Sequence, residues 1–161
     1  MKAEEIEFAV ARYFSWRRNV IVPNVSWGMG FRHELDLLVL TPAGYAYEVE
    51  IKTTLSDVIA DKKKKKWSIY LPYDGNRISR FYFALPENIY AKSIAHIPAT
   101  AGILRIREVS NGGPLCCTKE REAKRNPNAQ KFTTKERLDL YRLAHMRVWS
   151  MKEKLIAQNG G

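Results

Sequence analysis

The stretch from Glu34 to Lys52 constrains the fold more than any other. Two apolar runs rich in Leu and Val, over 31–40 and 45–52, flank Thr41-Pro42-Ala43-Gly44. A short Pro/Gly turn between two such runs predicts an antiparallel hairpin. The second arm alternates strictly, with Tyr47, Val49 and Ile51 on one face and Glu48, Glu50 and Lys52 on the other. If the arms pair around the turn, residues whose numbers sum to about 85 or 86 face each other, which brings Asp36 opposite the region of Glu50.

Around this hairpin the elements follow from period and punctuation. Residues 2–16 read as a helix, because Ile6, Ala9, Val10, Tyr13 and Phe14 form one apolar stripe. A short extended piece over 19–22 ends at Pro23-Asn24. Ser56 is placed to cap a helix that runs through Val58, Ile59 and the lysine run to Trp67. Residues 72–76 read as a loop, 80–85 as a strand closed by Pro86, 87–91 as a helical turn and 102–107 as another strand. Residues 118–131 are polar and basic, and read as a loop. Thr133 and Glu136 then form a capping box that opens a long helix to about Ile156. On that helix Leu138, Tyr141, His145, Val148 and Leu155 share one face, and Leu140, Leu143 and Met151 another. So wide an apolar surface suggests packing on two sides. The order predicts an α/β fold with a mixed sheet flanked by helices. The expected layout is a core over 1–110, a basic polar loop over 111–132 and a C-terminal helix over 133–156.

Composition excludes several classes. No apolar run approaches the ~18–20 residues that span a bilayer. The N-terminal Met1-Lys2-Ala3-Glu4-Glu5 lacks an apolar signal core, so a soluble, cytoplasmic protein is expected, with no membrane partner. Cys116 and Cys117 are adjacent, which excludes a disulfide framework, and three scattered histidines are too few for a structural zinc site. The net charge is +10, unevenly spread: residues 1–60 carry −2, while 61–118 and 119–161 each carry +6. Basic surface recruits phosphate backbones, acidic membranes or acidic proteins, so the acids gathered in the first third need a reason of their own.

Two carboxylates facing each other across a hairpin repel unless something neutralises them, and a hard dication with oxygen ligands does so. An ion there could polarise a phosphodiester oxygen, with a lysine ammonium beside it sharing the developing charge. The acid-x-lysine triplet alone is weak, since about 1.5 arise by chance in this length. Asp61-Lys62-Lys63 and Glu122-Ala123-Lys124 read as accidental instances. The competing reading of Asp36, Glu50 and Lys52 is a solvated hairpin face with a cross-strand salt bridge worth ~0.5 kcal/mol.

The run Glu34-Leu-Asp36-Leu-Leu-Val-Leu, followed by Tyr47-Glu-Val-Glu50-Ile-Lys52, resembles the signature of the PD-(D/E)XK nuclease superfamily. The continuation through Ser56-Asp-Val-Ile-Ala-Asp61 and the lysine run, then Arg80-Phe-Tyr-Phe-Ala-Leu-Pro86 and Ala101-Gly-Ile-Leu104, is similar to one branch, the MmcB-type DNA-repair proteins and their phage and prophage relatives. The likeness covers residues 30–107. It implies a restriction-endonuclease-like three-layer fold and a Mg²⁺ or Mn²⁺ ion held by Asp36, Glu50 and the backbone carbonyl of Ile51, with Lys52 as the catalytic ammonium. Leu35 stands where the superfamily name has proline.

Many relatives add a glutamate from the first helix. Glu4, Glu5 and Glu7 compete for that role, and Glu7, flanking the apolar stripe, best faces inward; an ordinary acidic first turn is the alternative. Lys62, Lys63, Lys64, Lys65 and Lys66 splay around a helix and are candidate phosphate contacts, as are Arg121, Lys124 and Arg125 in the polar loop; both sets also read as solvated surface. His33, beside the site, reads as a spectator. The expected function is metal-dependent hydrolysis of DNA in repair, recombination or phage DNA processing, with a homodimer in view. The alternatives are a non-catalytic DNA-binding module and a protein-interaction domain acting through the C-terminal helix.

Overall fold

The computed structural model describes residues 1–26, 30–31, 33–61, 76–110 and 112–159. The lysine run Lys62–Lys66 and the expected extension of its helix to Trp67 lie outside the described residues, as does most of the expected 72–76 loop. In chain order the elements are α1 (Ala3–Tyr13), β1 (Val20–Val25), β2 (Leu35–Leu40), β3 (Ala46–Ile51), α2 (Leu55–Asp61), β4 (Ile78–Pro86), α3 (Glu87–Ser93) with a 3₁₀ turn at Ile94–His96, β5 (Gly102–Arg107), β6 (Cys116–Arg121) and α4 (Thr134–Asn159).

The six strands form one sheet in sequence order. β1, β2 and β3 are antiparallel neighbours. β3 with β4, and β4 with β5, are parallel, joined through α2 and α3. β6 closes the far edge antiparallel to β5. The expected hairpin is present, with Leu37 opposite Val49, Leu38 opposite Glu48 and Val39 opposite Tyr47. Its turn is built by Thr41, whose hydroxyl donates to the Tyr45 carbonyl at 2.9 Å and accepts the Tyr45 N–H at 3.1 Å. Gly44 takes φ +91°, a left-handed conformation that favours glycine.

Three layers follow from alternation. Leu37, Val39, Val49, Tyr82, Ala84 and Leu104 meet Ile6, Ala9 and Val10 of α1 on one face. On the other face Phe81, Phe83, Leu85 and Ile103 pack against Val58 of α2 and the α3 region. Leu38, Leu40, Ala46 and Ile78 share that second face with Phe132, just before α4, and Leu140 within it. This is an α/β fold with a central mixed sheet flanked by helices and a long C-terminal helix.

Two elements differ from expectation. The extended piece over 19–22 continues to Val25 as β1, because it pairs with β2 along its length. The stretch 111–132, expected to be a loop, contains β6: pairing with β5 satisfies its backbone, and a half-exposed edge strand tolerates the polar residues that make the sequence look like loop. α4 begins as expected, Glu136 N–H donating to the Thr133 hydroxyl at 3.3 Å and Thr133 N–H to the Glu136 carboxylate at 2.7 Å. Its two apolar faces fare differently. Leu140 is buried, with Leu143 and Ala144 against the same cluster, while Leu138, Tyr141, Val148, Trp149, Met151 and Leu155 are exposed.

Candidate functional site

β3 lies inside the sheet, and its charged face is the one covered by α2. Glu48 and Glu50 sit in register with Phe81 and Phe83 of β4, in a seam between the cluster beneath α4 and the cluster beneath α2 and α3. The seam is deeply closed: Glu50 is 3%, Lys52 8% and Asp61 1% exposed. The Lys52 ammonium lies 2.7 Å from Glu50 Oε1 and 3.4 Å from Asp61 Oδ2. Burial alone would lower the Lys52 pKa. The hydrogen bond to Glu50 and the charges of Glu50, Asp61 and Asp36 outweigh it and hold the value above its usual 10.5. Lys52 is therefore an ammonium at neutral pH, suited to donate hydrogen bonds and to offset negative charge rather than to take up a proton.

Asp36 stands where β2 and β3 part. The backbone pairs of the hairpin reach Leu37 opposite Val49, and one step further the Asp36 carboxylate accepts the Ile51 N–H at 2.8 Å. The side chain thus replaces a carbonyl in the ladder, which fixes its orientation. The strand geometry loosens locally: Asn24 of β1 has φ +50°, and Val22 with Val25, like Leu38 with Leu35, join one cluster despite odd spacing. On α1, buried through Ile6, Ala9 and Val10, the half-buried Glu7 is near enough to Asp36 to feel its charge. Its carboxyl is pushed above the usual carboxylate range, by burial first, then by Asp36 and Glu4. Asp36 is thus felt by Glu7 on the α1 side of the sheet and by Lys52 on the α2 side.

Three of the sequence candidates, Asp36, Glu50 and Lys52, together with the Ile51 backbone, therefore lie where β2 and β3 part, while Glu7 feels the charge of Asp36 from the α1 side of the sheet. Sequence reading missed two further acids. Asp61 is not an accidental neighbour of lysines: it is buried against Lys52 from α2, and its spacing of three from the buried Val58 is the signal that places it on the inward face. Glu48, 1% exposed, lies 2.8 Å from His33 Nε2, so His33 is tied to the charged face of β3. The alternation of β3 already placed Glu48 on that face.

The candidate phosphate contacts are dispersed. Arg121 belongs to β6 and turns its guanidinium to the Ala101 and Pro98 carbonyls, at 2.8 and 2.7 Å. Lys124 is exposed, its backbone N–H bonded to the Thr100 carbonyl at 2.8 Å. Arg125 is exposed and lies over the Tyr45 ring, 5.0 Å from its centroid. Lys62–Lys66 lie outside the described residues. No helix among the described residues is long and apolar enough to cross a membrane.

Fold and corner together define a three-layer α/β protein with a buried carboxylate–lysine cluster at the fork of two strands. No family model matches the chain, and no curated protein matches it. A solved structure of a protein of unknown function from Silicibacter pomeroyi is similar over 100% of this chain and 95% of that chain, with a TM-score of 0.63 and 20% identity. At that identity the likeness establishes the fold alone.

Proposed function

We propose that this chain is a metal-dependent deoxyribonuclease of the PD-(D/E)XK type, its three-layer fold of the restriction-endonuclease-like kind, hydrolysing DNA phosphodiester bonds in repair, recombination or phage DNA processing. The observation that carries the reading is the pairing of the buried Lys52 ammonium with Glu50 of β3 and Asp61 of α2, next to the Ile51 N–H that the Asp36 carboxylate of β2 accepts. A solvated hairpin face, the competing reading, would leave these groups exposed; here the face is closed over.

The donor set suits a hard dication. Mg²⁺ takes one or two protein carboxylates and keeps several waters. Asp36, Glu50 and the Ile51 carbonyl would hold it, with Glu7 beside them. When bound, the ion would polarise a phosphoryl oxygen and make an attacking water more acidic. Lys52, kept protonated by its neighbours, would orient that water and share the charge that builds on the phosphorus oxygens. Asp36, held by the Ile51 N–H, supplies a carboxylate whose direction is set before any ligand arrives. The net charge of +10 favours a polyanionic substrate. A homodimer belongs to the same reading, since α4 carries apolar residues on its exposed face.

A second reading, a non-catalytic DNA-binding module of the same fold, is favoured by two observations. Among the described residues no three His, Cys, Asp or Glu side chains form a ligand group, and Glu50 is already engaged by Lys52. Incubation with supercoiled plasmid and with branched DNA in Mg²⁺ or Mn²⁺ separates the two. The nuclease reading expects nicking that falls at least about a hundredfold in Asp36→Ala and in Glu50→Ala. Salt-sensitive binding with no metal-dependent turnover, or cleavage undiminished in both variants, overturns it.

A further inference from the structure

The acids of α1, Glu4, Glu5 and Glu7, all precede Phe8, and from Phe8 through Val25 the chain holds no acid but three arginines, Arg12, Arg17 and Arg18. All three arginines are exposed. Beside them stand two large aromatic rings, Phe8 at 58% and Trp16 at 48% exposed. Rings of that size supply core and interface energy, so a pair left in water marks a contact surface. The backbone brings the two together. α1 stops at Tyr13, and Ser15 takes φ +56°, a left-handed conformation uncommon for a residue with a side chain. The Phe14 carbonyl accepts the Asn19 side-chain amide, and the Ser15 carbonyl accepts the Arg18 and Asn19 N–H groups at 2.9 and 3.0 Å. The chain reverses tightly, and the Trp16 ring returns to 5.4 Å from Phe8, centroid to centroid. Arg12, Ser15, Trp16 and Arg17 line a cavity of about 220 Å³. Pockets that enclose a whole small molecule run to ~300–1,000 Å³, so this one suits a single flat group.

We propose that this turn is a nucleic-acid site apart from the Lys52 cluster, where an unstacked base of single-stranded DNA lies on the Trp16 indole and Arg12, Arg17 and Arg18 meet the flanking phosphates. The inference rests on the DNA-directed reading above and names the form of DNA. Phe8 backs the indole, so little side-chain freedom is lost when a base arrives. Every base has a π-face, and guanidinium meets phosphate whatever the sequence, so the site is indifferent to sequence. A duplex keeps its base faces stacked on one another; only a single strand, a gap or a frayed end offers one to Trp16. An acidic peptide would also match the arginines, but it carries flat groups only here and there, whereas a strand brings one with every phosphate. Glu7, the residue before Phe8, feels the charge of Asp36, which puts the site on the α1 side of that carboxylate.

The test is fluorescence anisotropy with the full chain, in EDTA so that no cleavage intervenes. The probes are a labelled oligothymidine of about twelve nucleotides, an abasic strand of the same length and charge, and the matching duplex. Trp16→Ala is expected to weaken oligothymidine binding about tenfold or more, and to change the abasic strand and the duplex by less than about twofold. Trp16→Phe, which keeps a ring, restores part of the loss. Arg17→Ala/Arg18→Ala weakens oligothymidine and the abasic strand alike, and lowers the salt dependence of both by ~0.7 in log–log slope per charge removed. Oligothymidine affinity in Trp16→Ala within about twofold of wild type, an equal loss on all three probes, or no oligothymidine binding by the wild type overturns the inference. The two readings fail separately. A chain that nicks plasmid while Trp16→Ala still binds oligothymidine like the wild type keeps the nuclease reading and loses this site. One that binds oligothymidine through Trp16 but never cleaves keeps the site and loses the nuclease reading.

Discussion

Replacing Lys52 by Met tests the cluster as a structural object, independently of any activity. The substitution keeps the length of the side chain and removes its charge, leaving Glu50 and Asp61, 3% and 1% exposed, without the ammonium between them. Removing one partner of a buried ion pair typically costs ~3–5 kcal/mol, because the remaining charge stays buried. For a chain of this length each kcal/mol lowers the melting temperature by ~2–4 °C, so Lys52→Met is expected to melt about 10–15 °C below wild type at neutral pH. Thermal unfolding followed by circular dichroism measures this. The pH dependence supplies a second signature. Lys52 has a folded pKa above its usual 10.5, so its contribution is fully present below that value and is lost as pH rises through the folded pKa. The gap between wild type and variant therefore holds at neutral pH and closes under alkaline conditions. A Lys52→Met protein melting within about 3 °C of wild type would show that the carboxylates are hydrated after all, and would refute the argument from burial.

Two further outcomes test the corner and the sheet behind it. Glu7 has its pKa raised above the usual 4.5, so its folded-state contribution is fully present below that value and declines as pH rises through the folded pKa. Glu7→Gln is therefore expected to be more stable than wild type towards urea at neutral pH and to lose that advantage in acid; a neutral-pH loss of stability would contradict the crowding of Glu7 against Asp36. Gly102 lies so close beneath Tyr82 that an added Cβ would stand 2.3 Å from the ring and 2.8 Å from the Ala123 backbone nitrogen. Gly102→Ala should cost ~1–3 kcal/mol by overpacking, whereas Gly113→Ala, with only ordinary contacts at 3.9 Å, should change stability by less than about 0.5 kcal/mol in the same denaturation series.

Much of the candidate corner is legible along the chain because hairpins are local. The turn at Thr41–Gly44 sets the register, and the register sets which residues oppose which, so the meeting of Asp36 with the end of β3 follows from a few adjacent residues. Glu7 is partly legible through its place beside the stripe of α1. Asp61 was not, because its role depends on α2 returning across the sheet onto Lys52, and its sequence context of lysines suggests surface. Arg121 shows the converse: a basic residue in a polar stretch turns out to hold two backbone carbonyls, since β6 pairs with β5.

By itself the sequence determined the periods: the helical stripe of α1, the two-residue alternation of β3, the capping box of α4 and the hairpin that joins β2 to β3. These are local because a residue's side-chain direction depends on its own backbone and its near neighbours. Only the tertiary structure decided which charged face would be buried, that Asp61 and Glu48 would share it, and that one face of α4 would be left exposed. Those outcomes depend on parallel crossovers and layer packing, where distant segments compete to cover the same surface, and no local pattern records who wins.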